Sequence, residues 1–163
     1  MKKNQGFTLV ELVIVIVILG ILAITAAPKF LNLAGDAKGG TLNAVKASLQ
    51  SANAVIYSKA VLAGNQKAPT STVNESGTTI NIVYGYVSST VADVGAVLDL
   101  DGNFDLTLAA ATNSALGVAA NDVLISPKGA TLGTTVATAC MLVYKPATSA
   151  TTKPTYVLNI QGC

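Results

Sequence analysis

The chain has 163 residues, a mean hydropathy of +0.56 and a formal net charge of +2, which suits one domain plus an anchoring segment. All ten basic residues are lysines, scattered among eight acids, so the bidentate arginine fork is absent and nucleic acid is excluded as a main partner. There is no histidine, and no serine or threonine sits in a nucleophile motif such as G-x-S-x-G. Neither an enzyme nor a cofactor is therefore expected.

The chain opens with Met1-Lys2-Lys3-Asn4-Gln5-Gly6, followed by an apolar run to Pro28. The segment from Phe7 to Ala27, about 21 residues, would cover roughly 31 Å as a helix, the thickness of a bilayer's hydrocarbon core. Val13 to Ile18 suits a buried strand by propensity, but the run is too long for one, so length decides for helix. Glu11 interrupts it. A carboxylate at mid-membrane costs about 2.5–3.5 kcal/mol, so either it lies at headgroup level near the helix start, favoured by the dipole, or it is used. An ordinary secretory signal would instead be cut after Thr25-Ala26-Ala27, leaving Pro28 first. Gly20 and Pro28 bound the softest part of the helix; Gly20 either gives flexibility or packs against a neighbouring helix.

The basic leader, Gly6, Phe7-Thr8-Leu9-Val10-Glu11 and the uninterrupted apolar helix together resemble the type IV pilins and the related pseudopilins. Thr25 to Leu33, TAAPKFLNL, is similar to the mannose-sensitive haemagglutinin branch. The resemblance implies cleavage of leader 1–6 after Gly6 by a prepilin peptidase and N-methylation of Phe7. It also implies subunit assembly through Thr8 and Glu11, with Glu11 neutralising the Phe7 amine of a neighbouring subunit. The partners implied are further copies of the chain, the peptidase, the pilus assembly machinery and the bacterial inner membrane, which holds the precursor before export into an extracellular fibre. In such fibres the Gly20 to Pro28 segment can unwind.

Beyond Pro28, Leu42, Val45, Leu49, Ala52, Ile56 and Ala60 recur at three- and four-residue spacing, while Lys38, Lys46, Gln50, Asn53 and Lys59 fall elsewhere. This predicts an amphipathic continuation of the helix to Leu62, ending at Gly64-Asn65. Gly35, Gly39 and Gly40 predict a local break, with Thr41 as a fresh cap. Residues 65–77 read as a loop, Thr78–Val87 as one strand, and Ser88-Ser89-Thr90 as the cap of a short helix from Val91 to Leu98. Further strands are expected at Phe104–Leu108, Thr138–Tyr144 and Tyr156–Ile160, the last two paired across the loop 145–154.

Asp99, Asp101, Asn103 and Asp105 surround Gly102. They read either as a tight turn at Asp101-Gly102 or as a weak candidate calcium loop, with Phe104 and Ala110 where an EF-hand needs glycine and glutamate. Cys140 and Cys163, an even pair in a domain expected outside the cytoplasm, predict a disulfide, and many pilins close a C-terminal loop in this way.

The expectation is an α+β fold in which a long N-terminal helix, hydrophobic (7–27) and then amphipathic (to 62), packs on a small antiparallel sheet within the globular head 63–163. The function implied is that of a major pilus subunit serving attachment, the alternatives being a pseudopilin or minor pilin of a secretion apparatus and a membrane-tethered monomeric binding protein.

Overall fold

The computed structural model describes residues 6–163, the side chains of residues 28–32 excepted. The leader residues 1–5 and the side chain of Pro28 thus lie outside the described residues. The chain divides into two units, Met1–Asp36 and Ala37–Cys163. The first consists of the start of helix α1 (Leu9–Leu62) and the residues before it. Its 19 residues Leu9–Ala27 have a mean hydropathy of 3.0 and none is buried, so by length and composition this helix can cross a membrane.

In the second unit, the C-terminal part of α1 presents the predicted stripe: Leu42, Val45, Leu49, Ile56 and Ala60 are buried. No break occurs at the glycines. Thr41 caps nothing; its hydroxyl donates back to the Lys38 carbonyl, a contact made within a helix. The glycine penalty is offset at Gly39, where a Cβ would lie 3.4 Å from Ile160 Cδ1, so the missing side chain lets the chain's C-terminal segment approach the helix. The helix stops at Gly64, in the left-handed region with φ of 73°.

Two antiparallel sheets replace the single sheet expected. The first has the order β1 (Ser71–Glu75), β2 (Thr78–Val83), β3 (Tyr86–Val87), and the second the order β4 (Phe104–Leu108), β5 (Val123–Pro127), β6 (Met141–Lys145), β7 (Thr155–Asn159). The presumed loop 65–77 contains β1, and the presumed strand Thr78–Val87 folds back on itself. Both differences have one cause. Ser76-Gly77 (φ 50° and 88°) and Tyr84-Gly85 (φ 49° and 85°) each place two residues in the left-handed region, the geometry of tight two-residue hairpins. Strand β5 was not anticipated, β6 begins at Met141 rather than Thr138, and β7 is shifted one residue N-terminal. As expected, β6 and β7 pair antiparallel, with Tyr144 opposite Tyr156.

Strands β5 and β6 are covered on both faces. Val123, Ile125, Leu142 and Tyr144 join the stripe of α1 in the main core, while Leu124, Met141 and Val143 form a second cluster with Leu116, Val118 and Ala139. Strands buried on both sides are continuous apolar runs, as these are.

Helix α2 (Val91–Val97) begins as predicted at Thr90, whose hydroxyl accepts from the Asp93 N–H. Burial raises the Asp93 pKa, but hydrogen bonds from Ser88, Thr90 and Asn81 outweigh it and hold the carboxyl below its ordinary value of 3.8. A depressed folded pKa stabilises the fold at all pH above the unfolded value, and that contribution is lost as pH falls through the folded value. Acid unfolding of the full chain should therefore steepen below about pH 4. In Asp93→Asn the slope should be shallower by roughly one proton; an unchanged slope would exclude this carboxylate as a contributor.

Candidate functional site

The N-terminus of α1 is closed by Thr8 and Glu11 bonding to each other. Thr8 Oγ1 accepts from the Glu11 N–H at 3.2 Å, while the Thr8 N–H and hydroxyl both donate to Glu11 Oε2 at 2.8 Å. Threonine at the cap and glutamate three residues on form a reciprocal capping box, which satisfies two helix-end donors otherwise left bare. The Thr-x-x-Glu spacing was legible in the sequence, and it gives Glu11 a local role that the dipole argument alone does not supply.

Glu11 keeps capacity to spare. Its Oε1 makes no hydrogen bond among the described residues, so one carboxylate can cap its own helix and still accept from an external cation. Gly6 and Phe7 precede the helix without regular secondary structure, and both are exposed, Phe7 at 94%. From Leu9 to Leu22 and again at Ile24, the large apolar side chains of the span are all exposed. Among the described residues, and apart from the adjoining residues and the helix's own backbone, no atom lies within 4 Å of where a Gly20 Cβ would be.

Within the second unit Cys140 and Cys163 are disulfide-bonded, with Cα atoms 4.7 Å apart. Around the acidic loop the chain bends at Gly102, with φ of 68°, and Asp105 accepts from the Gly129 N–H. Among the described residues no group of three or more acidic or thiol side chains converges as metal ligands would.

Sequence reasoning missed Asn53, which is 2% exposed. Its Nδ2 donates to the Tyr156 hydroxyl at 2.9 Å, and its Oδ1 accepts from the Val87 N–H at 2.9 Å and the Tyr144 hydroxyl at 3.4 Å. Burial pushes the Tyr156 hydroxyl up to about 12, so it stays protonated as a neutral partner in this network. The clue was positional: Asn53 follows Leu49 by four residues and precedes Ile56 by three, which puts it on the buried stripe.

Residues 1–27 match the family model described as the prokaryotic N-terminal methylation motif. The chain carries that motif. It is also 45% identical over 53 residues to the type IV narrow pilus major component PilA5 of Thermus thermophilus, a match covering 32% of this chain and 46% of the relative. The chain thus spans about half the length of the curated relative it matches. No solved structure matches it. Both findings support a type IV pilin, and neither description names a catalytic activity.

Proposed function

We propose that this chain is the precursor of a major structural subunit of a type IV pilus, held in the inner membrane until it polymerises into an extracellular fibre used for attachment. The observation that carries the reading is the methylation motif joined to a fully exposed apolar helix. A run of exposed leucine, isoleucine and valine side chains is stable only in lipid or against other such helices, and a helical fibre core supplies the second once the first is left.

In this reading a prepilin peptidase cuts after Gly6 and Phe7 becomes the methylated N-terminus. Glu11 then pairs through its spare oxygen with the Phe7 amine of a neighbour. An ammonium and a carboxylate buried together cost far less than either alone, so the pair sets axial register as well as permitting burial. Gly20, where a Cβ would meet open space among the described residues, and Pro28 bound the segment that yields when subunits pack or the fibre extends. Within the family, the similarity of Thr25 to Leu33 to the mannose-sensitive haemagglutinin branch supports assigning the chain to it. The disulfide favours a pilin over a pseudopilin.

Deleting the gene and examining sheared surface material by electron microscopy tests the reading. Long fibres containing this chain should vanish. Fibres unchanged in number and composition would overturn it.

A further inference from the structure

Five tyrosines are present in the chain, and three of them, Tyr57, Tyr86 and Tyr156, line one groove of 750 Å³, within the size range of small-ligand sites. The aromatic floor is held rigid from beneath. The Tyr57 and Tyr86 rings stack with centroids 4.8 Å apart and planes 19° from parallel. Gly85 makes this possible, since a Cβ there would meet Tyr57 Cδ2 at 2.9 Å. Tyr156 is fixed by the Asn53 bond to its hydroxyl and by packing on Tyr144 at 5.5 Å. All three floor rings remain partly open to solvent.

The rim is built of different chemistry. Gln50, Ser58 and Lys153 border the groove, and among the described residues neither Gln50 nor Lys153 makes a side-chain hydrogen bond or ion pair. The Ser58 hydroxyl donates to the Ala54 carbonyl, which leaves its oxygen free to accept. Among the described residues Lys153 is the only charged one lining the groove, and no carboxylate lines it.

We propose that this groove binds an acidic oligosaccharide, the tyrosine rings stacking on the C–H faces of the sugar while Gln50 and Ser58 meet hydroxyls and Lys153 meets a uronate carboxylate. A rigid aromatic floor loses little entropy on binding, and a rim of amide, hydroxyl and ammonium groups suits a polyhydroxylated ring. A proline-rich peptide, the other common occupant of tyrosine-lined grooves, offers carbonyl acceptors but neither a carboxylate for Lys153 nor hydroxyl donors for Ser58. The inference deepens the attachment reading and rests on it only for its setting on a fibre surface.

The test uses the full chain in micelles of a detergent without sugar headgroups, with tyrosine fluorescence as the signal, because the chain has no tryptophan. Hyaluronan tetrasaccharide, which carries glucuronate, should change the signal saturably with a Kd of about 0.1–1 mM. Neutral cellotetraose should bind about fivefold more weakly, and Lys153→Gln should weaken hyaluronan binding by about the same factor. No saturable change up to about 10 mM overturns the proposal. So does equal binding of the neutral sugar together with an inert Lys153→Gln, and so does saturation by oligoproline alone. Binding is read on unassembled protein, so its failure leaves the fibre reading standing, and loss of the fibre reading leaves the binding result intact.

Discussion

Glu11→Ala is expected to abolish fibres while the precursor still inserts into the membrane. Removing one partner of a buried ion pair costs about 3–5 kcal/mol because the remaining charge is stranded, and under the proposed pairing of Glu11 with a neighbour's Phe7 amine that penalty would recur at every subunit contact along the fibre. Insertion depends on the apolar run, which the substitution makes more apolar. The capping box offers a competing explanation, since alanine also removes the bonds to Thr8, worth about 1 kcal/mol. Glu11→Gln separates the two. Glutamine retains an acceptor for the Thr8 donors but carries no charge, so it should fail like alanine, whereas Thr8→Ala should only reduce fibre yield. Normal fibres from Glu11→Gln, counted by electron microscopy, would mean that capping rather than charge is what assembly needs.

The second large effect is expected at the C-terminus. The Cys140–Cys163 bond joins residues 23 apart in sequence, and closing such a loop contributes roughly 3.4 kcal/mol on the chain-entropy model. Next to it, the Gly162 N–H donates to the Ala139 carbonyl at 2.9 Å, and a Cβ on Gly162 would lie 2.2 Å from Thr138 C and O. Gly133 is as close to the same peptide. Cys163→Ser should lower stability by about 3 kcal/mol, near 10 °C in Tm, and reductant should do the same to the unaltered chain. Gly162→Ala should cost about 3 kcal/mol by forcing backbone apart. The two share one segment, so the double variant should lose less than the sum. Thermal unfolding in micelles, followed by circular dichroism, measures all three; a Tm unmoved by Gly162→Ala would show that the tail is not clamped here.

What could be read in advance tracked the strength of local chemistry. The long helix, the Thr90 cap and the β6–β7 pair each rest on a run of residues whose spacing or branching has one good interpretation. Strand β1, Ser71-Thr-Val-Asn-Glu75, is mostly polar because only Val73 turns inward, so its composition imitates a loop. The second hairpin was hidden because a tyrosine occupies a left-handed position that favours glycine or asparagine, a conformation imposed by the strands on either side. Gly39 misled for the opposite reason: its helix penalty is real, but the approach of Ile160 depends on a missing side chain. At the candidate assembly site, Gly6, Phe7 and Glu11 were legible because the motif is linear, whereas the tyrosine groove is assembled from α1, β3 and β7 with the loop before β7 and has no linear trace.

Mass spectrometry of the N-terminal peptide from sheared surface fibres tests the central claim most directly. The account predicts a peptide that begins at N-methylated Phe7 and retains Glu11. A mature chain beginning at Pro28 or any other residue, or fibres in which this chain is missing, would contradict it.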